Sequence, residues 1–266
     1  MIKHIYLDFD GTLTNKNGEV ADQNLLALSK IEGIWLRVIA TGRTVNSFLT
    51  KVGAEFPIDY LIFSTGAGIM DWKTKEVIYA SSFDTVETKE IVDLLLSLNV
   101  SFSIHHKIPH NHQFEYFQGK ENIADFIRYI EINKSNATIY RNGIGKSTQF
   151  LIITDNADFP LERFNSIKAF ANIVKISSPI DHKTTWIEIL PKNVSKSSGA
   201  MKLCELIRLE PKYKIAVGND FNDIDLLDWA DEGYIVSNAS NEILKDYAIL
   251  ENTDFKGVSN LIKQIN

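Results

Sequence analysis

The stretch Ile5-Tyr6-Leu7-Asp8-Phe9-Asp10-Gly11-Thr12-Leu13-Thr14 carries the pattern that decides the fold. Its apolar start is typical of a buried strand, and that strand ends in two carboxylates. Because residues i and i+2 of a strand share a face, we expect Asp8 and Asp10 to converge on one point. Converging carboxylates repel each other unless a cation lies between them, and Mg²⁺ is a hard cation that prefers oxygen ligands. An acidic turn that caps a helix is the alternative interpretation of these residues.

Composition narrows the class of protein further. The 266 residues suit one large domain or two modest ones, and a hydrophobic content of 44% is enough for a substantial core. A formal net charge of −6 argues against nucleic acid or an anionic membrane surface as the main partner. The chain shows no signal-peptide pattern and no apolar stretch that could span a bilayer. Its single cysteine, Cys204, suits a reducing compartment, so we expect a cytoplasmic protein. No obligate protein partner is evident from the sequence.

Short apolar runs alternate with amphipathic runs, which is typical of an α/β architecture with a parallel sheet. The predicted strands that matter most for function span residues 2–7, 34–40, 60–64 and 214–217. The two acids follow the first of these strands, and polar segments follow the others directly: Thr41-Gly42-Arg43, Thr65-Gly66 and Gly218 to Asp223. Open parallel sheets bind ligands outside the carboxyl ends of their strands, so the sequence predicts a site at this edge.

The middle of the chain follows a different pattern. We predict helices at 86–98, 122–133 and 160–171, and strands at 101–105, 149–154, 174–177 and 184–190. None of these strands is followed by the glycine-and-acid pattern, and the order indicates an α+β domain inserted into the first domain. The predicted core domain therefore comprises residues 1–83 plus 187–266, and the predicted inserted cap domain comprises residues 84–186.

The run Gly218-Asn219-Asp220-Phe221-Asn222-Asp223 places two acids and two carboxamides in a tight loop after an apolar strand. Oxygen-rich side chains of this kind can complete a Mg²⁺ shell that Asp8 and Asp10 begin. The loop also has the composition of a capped helix start, with Asp220 or Asn222 as the capping residue. Both interpretations can hold at once.

Two further segments are suited to holding an anion. Lys196 stands just before an apolar helical pattern, where a positive charge opposes the helix dipole unless it serves an anion or an acid cluster. Thr41 and Gly42 offer a hydroxyl and exposed backbone N–H groups at the start of the next helix. A solvated lysine and ordinary turn chemistry are the alternative interpretations of these two segments.

With these segments in order, the chain resembles the haloacid dehalogenase (HAD) superfamily of phosphotransferases, and more narrowly its Cof-type phosphatases. The resemblance rests on Asp8-x-Asp10-Gly-Thr, then Thr41-Gly-Arg, then Lys196, then Gly218-Asn-Asp-x-Asn-Asp. It covers the predicted core domain, and in the middle of the chain it extends only to the size and position of a large α/β cap. The implied fold is a Rossmann-like parallel-sheet core with an inserted α+β cap domain.

The resemblance implies a role for each residue of the site. Asp8 would be the nucleophile that forms an aspartyl-phosphate, and Asp10 would protonate the leaving oxygen and later activate a water molecule. The phosphoryl group would be held by side chains or backbone groups of Phe9, Thr41, Gly42, Lys196 and Asn222. Phosphoryl transfer depends mostly on positioning and charge neutralisation, which such a set of groups provides.

The implied cofactor is Mg²⁺, and its candidate ligands are Asp8, Asp10 (through its backbone carbonyl), Asn219, Asp220 and Asp223. Cof-type members usually have Gly-Asp-x-x-Asn-Asp in the last motif, whereas Asn219 stands at the first acidic position here and Asp220 follows it. Either Asn219 supplies a neutral oxygen ligand or Asp220 replaces it. A lost negative charge would weaken the affinity for Mg²⁺.

Four histidines crowd one segment of the predicted cap: His105, His106, His110 and His112. Histidine clusters can bind transition metals, but this spacing matches no helix-borne metal motif, and no Cys or acid lies among them. We therefore favour a solvated or substrate-facing loop over a dedicated metal site. Partly protonated histidines facing the cleft would suit an anionic phosphoester.

The leading hypothesis is a Mg²⁺-dependent phosphatase that hydrolyses small phosphomonoesters, such as sugar phosphates, through an aspartyl-phosphate. A phosphomutase is the second hypothesis, because phosphomannomutases share the Asp-x-Asp-Gly-Thr-Leu-Thr opening. The third is a non-catalytic sensor of phosphorylated metabolites, which the Asn219 departure motivates and the intact Asp8, Asp10, Thr41 and Lys196 oppose. In each case the expected partner is a small phosphorylated metabolite.

Overall fold

The chain forms two compact units in a computed structural model that describes residues 2–15, 17–143, 145–178, 180, 184–244, 246–252 and 255–265. The core unit comprises Met1–Tyr79 and Ser195–Asn266, and the inserted unit comprises Ala80–Val194. The predicted boundaries, after residue 83 and before residue 187, both fall inside the inserted unit. The second boundary lies later than predicted because the strand Thr185–Pro191 pairs on both sides with strands of the inserted unit.

The described residues form fourteen strands and seven α-helices. The strands are β1 (Lys3–Leu7), β2 (Trp35–Ala40), β3 (Tyr60–Phe63), β4 (Gly68–Asp71), β5 (Glu76–Ala80), β6 (Phe102–His106), β7 (Phe114–Phe117), β8 (Ala137–Ile139), β9 (Ser147–Thr154), β10 (Ala171–Ser177), β11 (Thr185–Pro191), β12 (Tyr213–Gly218), β13 (Glu232–Val236) and β14 (Ala248–Leu250). The helices are α1 (Asp22–Lys30), α2 (Val45–Leu49), α3 (Thr85–Leu98), α4 (Ala124–Ile132), α5 (Lys196–Ile207), α6 (Ile224–Trp229) and α7 (Gly257–Ile265). None of the helices described has both the length and the apolar character needed to cross a membrane.

The core unit is built on an eight-stranded sheet with the order β14-β13-β12-β1-β2-β3-β4-β5. The strands from β14 to β3 are parallel, whereas β4 runs antiparallel to β3. The strand order reverses at β1, which has β12 on one side and β2 on the other. The predicted α/β class with a parallel core sheet is confirmed. Such a reversal opens a crevice at the carboxyl end of the strand, so the residues after β1 lie where α/β sheets bind ligands.

The position of α5 is fixed by packing against this sheet. β1 is buried on both faces, as expected for a central strand of a parallel sheet, and its Tyr6 is fully buried. Tyr6 belongs to one hydrophobic cluster with Ala200 and Leu203 of α5. Burying a Leu side chain contributes about 1.5–3 kcal/mol, so this contact holds the helix against the sheet.

The first turn of α5 is specified by local contacts. Ser195 and Ser198 form a reciprocal capping box that starts the helix. A Cβ on Gly199 would lie 2.7 Å from Ile62 Cγ2, so a glycine is needed for the helix to approach β3 this closely. Glycine in a helix interior costs about 1 kcal/mol relative to alanine, which the close packing offsets. Lys196, the first residue of α5, is thereby held at the carboxyl edge of the sheet.

The inserted unit is built on a six-stranded sheet with the order β10-β11-β9-β6-β7-β8. Its neighbouring strands are antiparallel, except that β7 and β8 are parallel. Alternate residues of β9 lie on opposite faces of this sheet. Phe150 and Ile152 pack with α3 on one face, whereas Leu151 and Ile153 pack with α4 on the other. This unit therefore has a core on each face of its sheet.

Two parts of the secondary structure differ from the sequence prediction. Residues Leu161–Ile167 form a 3₁₀ segment, and a turn at 168–170 leads into β10, in place of the predicted helix at 160–171. Its buried residues, Phe164 and Ile167, are three positions apart, which fits the 3₁₀ period. The strands β4, β5, β7 and β8, of three to five residues each, are absent from the prediction.

Part of the histidine-rich segment differs from the expected solvated or substrate-facing loop: His105 lies in β6, in the core of the inserted unit, whereas His110 and His112 lie in the loop between β6 and β7. The Nδ1 of His105 donates to the Asn111 carbonyl at 2.8 Å, and its Nε2 lies 3.1 Å from the Tyr129 hydroxyl. Its ring packs against Phe114 with a centroid distance of 5.0 Å. The other three are half-buried or exposed, namely His106, His110 and His112. Across the residues described, no three His, Cys, Asp or Glu side chains form a group that could hold a metal.

Acid should destabilise the protein through His105. Burial lowers the pKa of His105 to about 4, below its ordinary value of about 6.5. Between these values the unfolded chain binds the extra proton, so stability is complete above about pH 6.5 and is lost as the pH falls toward 4. We predict a loss of up to about 1.4 kcal/mol per pH unit from this residue. Urea unfolding at a series of pH values measures it.

The variant His105→Gln should have a shallower pH dependence than the wild type. His110→Gln, at an exposed position of the same segment, is the matched control and should keep the wild-type dependence. Some dependence should remain in both variants, because burial also lowers the pKa of His4 in the core unit to about 4. A His105→Gln protein with the wild-type slope would contradict the prediction.

Candidate active site at the carboxyl ends of the core strands

The carboxyl ends of the central strands hold the predicted site residues in place. The backbone N–H of Asp8 donates to the Val217 carbonyl at 2.9 Å, which continues the pairing of β1 with β12. The N–H of Thr41 donates to the Ile62 carbonyl at 2.9 Å, which continues the pairing of β2 with β3. Lys196 joins this edge from the first turn of α5. Residues that are far apart in the sequence therefore meet at the reversal point of the sheet.

A buried ion cluster of Lys196, Asp8 and Asp223 lies at the centre of this edge. The Nζ of Lys196 donates to Asp8 Oδ1 at 2.7 Å and to Asp223 Oδ1 at 2.5 Å. All three side chains are more than nine-tenths buried. Charged hydrogen bonds of this kind are short and strong, and removing the lysine would leave two buried carboxylates without a counter-ion. Lys196 therefore contacts the acid cluster and is not a solvated surface lysine.

The charges of this cluster are unbalanced, because two carboxylates share one ammonium group. Burial and the neighbouring Asp223 raise the pKa of Asp8 to about 7, although Lys196 acts in the opposite direction. Burial by itself would lower the pKa of Lys196, but Asp223 and Asp8 together raise it above its ordinary value. The lysine stays protonated, and when both carboxyl groups are ionised the cluster has an excess of negative charge that an additional cation would relieve.

Asp223 also fixes the loop after β12. Its Oδ2 accepts hydrogen bonds from the backbone N–H groups of Asn219 at 2.9 Å and Asp220 at 3.0 Å. Asp220 caps the following 3₁₀ turn by accepting a hydrogen bond from the Phe221 N–H at 2.8 Å. Both oxygens of Asp223 thus have protein partners. Asp223 holds Lys196 and the loop in place, and its oxygens are already engaged.

Asp10 lies outside the buried cluster and pairs with Arg43. The Nε of Arg43 donates to Asp10 Oδ2 at 2.7 Å, and its Nη2 donates to Oδ1 at 2.7 Å. The Nη1 of Arg43 donates to Ser47 Oγ at 2.9 Å, and its guanidinium lies 5.8 Å from the centre of the Phe9 ring. The sequence analysis assigned no role to Arg43. The sequence did place Arg43 directly after Thr41-Gly42, on the loop that follows β2, and β2 pairs with β1. This position could have indicated a role for Arg43 in the site.

The remaining phosphate-binding candidates lie on the same edge. The ring of Phe9 is fully buried against Phe48, so only its backbone could contribute to phosphate binding. The Thr41 hydroxyl accepts a hydrogen bond from the Arg43 N–H at 3.1 Å, and Gly42 between them is half-buried. Asn222 is half-buried in the 3₁₀ turn Phe221–Asp223. The predicted residues are therefore gathered at one edge, with Asn222 on the loop that Asp223 fixes.

Asn219 lies beside the turn that follows Asp10. A Cβ on Gly11 would lie 2.5 Å from Asn219 Nδ2, and Gly11 has a φ of +79°, which favours glycine. The Gly11 carbonyl accepts a hydrogen bond from Asn238 Nδ2 at 2.8 Å. The neutral amide side chains of Asn219 and Asn238 therefore flank this turn. At position 219, the family pattern has an acid instead.

The turn at residues 64–66, whose Thr65-Gly66 the sequence analysis placed at this edge without a specific role, connects the loop after β2 with the start of α5. Residues 64–66 all have positive φ angles, of 48°, 54° and 99°. Left-handed φ values at non-glycine residues cost about 1–3 kcal/mol and mark positions that the surroundings fix. The Thr65 N–H donates to the Thr41 carbonyl at 3.0 Å, and a Cβ on Gly66 would lie 1.9 Å from the Ser195 carbonyl. This turn therefore sets the spacing between Thr41 and Lys196.

The charges and oxygen donors of this edge fit a hard divalent cation. Its carboxylates outnumber its cations, with Asp8, Asp10, Asp220 and Asp223 against Lys196 and Arg43. Carboxylate, carbonyl and amide oxygens are the ligands that Mg²⁺ prefers. Among the described residues, no three acidic side chains lie close enough together to hold a metal ion by themselves. Backbone and amide oxygens would therefore have to complete the shell.

The fold and this arrangement place the chain in a known family. A family model described as haloacid dehalogenase-like hydrolase matches residues 5–262. The chain therefore belongs to the haloacid dehalogenase-like hydrolases, which confirms the resemblance drawn from its motifs. It is a hydrolase of the phosphatase type within that family.

Individual relatives match over nearly the whole chain at low identity. A Bacillus subtilis protein named 5-amino-6-(5-phospho-D-ribitylamino)uracil phosphatase is 23% identical over 286 residues, covering 99% of this chain and 98% of that protein. The structure of a haloacid dehalogenase-like hydrolase from B. subtilis superposes with a TM-score of 0.76 at 19% identity, covering 100% of both chains. The structure of a sugar phosphatase of HAD subclass IIB has a TM-score of 0.71 at 19% identity, covering 99% of this chain and 98% of the other. The likeness therefore includes the inserted unit.

Replacing Gly66 by alanine should destabilise the protein far more than replacing Gly33. Both glycines have positive φ, so both alanine variants carry the backbone strain, about 1–2 kcal/mol. A Cβ at Gly33 would meet nothing within 4 Å, whereas a Cβ at Gly66 would lie 1.9 Å from Ser195 O. We predict that Gly66→Ala costs at least about 2 kcal/mol more than Gly33→Ala in urea unfolding. Equal losses would argue against the packing of this turn on the start of α5.

Proposed function

We propose that the protein is a Mg²⁺-dependent phosphomonoesterase that works through an aspartyl-phosphate on Asp8. The observation that carries this proposal is the buried contact of Lys196 Nζ with Asp8 Oδ1 at 2.7 Å. A carboxylate at the reversal point of the sheet can receive a phosphoryl group whose charge the adjacent ammonium group neutralises. A purely structural role explains the contact less well, because apolar side chains of similar volume would stabilise a core equally or better.

In the first step, an oxygen of the Asp8 carboxylate would attack the phosphorus of the substrate. The Asp8 O–P bond forms as the ester P–O bond breaks, and the leaving oxygen takes a proton from Asp10. The groups that would hold the three non-bridging oxygens are those of Phe9, Thr41, Gly42, Lys196 and Asn222. Their positions at one edge support this role, because phosphoryl transfer depends on positioning and charge neutralisation.

In the second step, a water molecule would hydrolyse the aspartyl-phosphate. Asp10, now ionised, takes a proton from the water as its oxygen attacks the phosphorus. The bond between phosphorus and Asp8 then breaks, which regenerates the carboxylate and releases inorganic phosphate. One residue thus serves first as acid and then as base, and its protonation state after each turnover is the one that it had at the start.

Mg²⁺ would be held by the Asp8 carboxylate, the backbone carbonyl of Asp10 and an oxygen of Asn219 or Asp220. When bound, it would supply positive charge that neutralises the phosphoryl oxygens. Asp223, which was among the candidate ligands, accepts three hydrogen bonds, from Lys196 and from two backbone N–H groups, and its side chain is fully buried. We therefore assign Asp223 to the support of Lys196 and the loop.

The proposed substrate is a small phosphorylated metabolite, such as a sugar phosphate. One relative is named for a phosphate ester on a ribityl chain, and a protein of the same fold is named a sugar phosphatase. The net charge of −6 opposes nucleic acid as a substrate. We also propose a cytoplasmic location, which the single cysteine suits.

The variant Asp8→Asn should lose phosphatase activity by about four orders of magnitude or more, because an amide cannot act as the nucleophile. The measurement is phosphate release from sugar phosphates, nucleotides and p-nitrophenyl phosphate, with and without Mg²⁺. Asp93→Asn, at an exposed position of the inserted unit, is the matched control and should keep wild-type activity. A folded Asp8→Asn protein that retains activity would overturn the proposal. Transfer of phosphate to a sugar instead of water would indicate a mutase.

The variant Asn219→Asp should bind Mg²⁺ about 10-fold more tightly, because it adds a negative charge beside the proposed site. The measurement is the shift of the melting temperature with Mg²⁺ concentration, together with the Mg²⁺ concentration that gives half-maximal activity. Asn156→Asp adds the same charge at an exposed position of the inserted unit and should leave both values unchanged. An unchanged Mg²⁺ affinity in Asn219→Asp would remove position 219 from the metal shell.

A further inference from the structure

The carboxylate of Asp10 is held by both of its oxygens. Arg43 donates one hydrogen bond to each of them, from Nε and Nη2, and both distances are 2.7 Å. The side chain of Asp10 is 37% exposed and that of Arg43 is 21% exposed. A carboxylate with this much exposure would sample several rotamers if nothing held it. The planar guanidinium fork instead fixes both its position and the plane of its two oxygens.

Arg43 is itself held on three sides. Its Nη1 donates to Ser47 Oγ at 2.9 Å, which ties the guanidinium to α2. Its backbone N–H donates to Thr41 Oγ1 at 3.1 Å, and its carbonyl accepts from the Ser64 N–H at 2.8 Å. The guanidinium also lies over the Phe9 ring, whose residue precedes Asp10. The arginine thus connects the loop after β2 rigidly to the acid after β1.

We propose that Arg43 is a positioning residue that aims Asp10 at the leaving oxygen of the substrate. This inference rests on the proposed function, in which Asp10 gives a proton to that oxygen. A carboxylate has about four lone-pair sites, and the fork occupies one on each oxygen, so the others remain available to the reacting groups. A lysine at this position would neutralise the charge but could not hold both oxygens in one plane.

The chain contains a second ion pair with the same geometry, which serves as an internal comparison. Arg37 donates to Asp59 from Nε at 3.0 Å and from Nη2 at 2.8 Å. Arg37 lies within β2, whereas Arg43 follows the carboxyl end of that strand. The Arg37 pair therefore shows what a purely structural arginine fork does in this sheet. The same substitution, arginine to lysine, can therefore be made in both pairs and its effects compared.

The dependence of kcat/KM on the leaving group separates the two roles. The kcat/KM value reports the steps up to release of the leaving group, and only a poor leaving group needs a proton from Asp10. p-Nitrophenyl phosphate has a good leaving group, phenyl phosphate a poorer one and glycerol 2-phosphate the poorest. We expect Arg43→Lys and Arg43→Ala to lose about 10- to 100-fold more kcat/KM on glycerol 2-phosphate than on p-nitrophenyl phosphate.

The control variants show through which residue Arg43 acts. Asp10→Asn should show the same selective loss, and the double variant Asp10→Asn with Arg43→Ala should be no worse than Asp10→Asn alone. Arg37→Lys should lower the melting temperature without changing the ratio between the substrates. Equal losses on all three substrates in the Arg43 variants, or additive losses in the double variant, would overturn the positioning role of Arg43. The proposed phosphatase function would still stand. A wild-type protein that hydrolyses none of the three would overturn the proposed function and this inference with it.

Discussion

The contact of Lys196 with Asp8 and Asp223 is the interaction on which the rest of the site depends. Three separate parts of the chain deliver these side chains to one buried point: the end of β1, the first turn of α5 and the loop after β12. Removing Lys196 would leave two carboxylates in the core without their counter-ion, which is strongly destabilising. The same contact therefore stabilises the core unit and places a cation beside the proposed nucleophile.

This contact requires α5 to begin within a narrow range of positions. Gly199 lets the helix approach Ile62, and Gly66 lets the turn before β4 lie directly against the Ser195 carbonyl. Any side chain at either position would displace the start of the helix, and the ammonium group of Lys196 with it. Glycines beside the start of α5 thus define the position of Lys196, because close backbone packing leaves no room for adjustment.

The two proposed catalytic acids lie in different electrostatic surroundings only two residues apart. Asp8 is buried with an incompletely balanced charge, whereas Asp10 is partly exposed and fully paired with Arg43. A nucleophile and an acid–base residue need different surroundings. Asp8 directly follows β1 and contacts Lys196, whereas Asp10 begins the turn after it and contacts Arg43. The relatives match over nearly their whole length at low identity, so the scaffold that provides these surroundings tolerates extensive substitution.

The sequence by itself determined the α/β class, the parallel core sheet, the inserted middle segment and the positions of Asp8, Thr41 and Lys196, because periodicity and turn chemistry are local signals. Only the tertiary structure decided that Arg43 pairs with Asp10, since this depends on the alignment of β1 with β2 and on the loops that follow them. It also decided that Asp223 supports Lys196 and that His105 lies in a core. Each of these outcomes is a pairing between distant residues, and pairing partners are set by register and packing, which local sequence patterns do not encode.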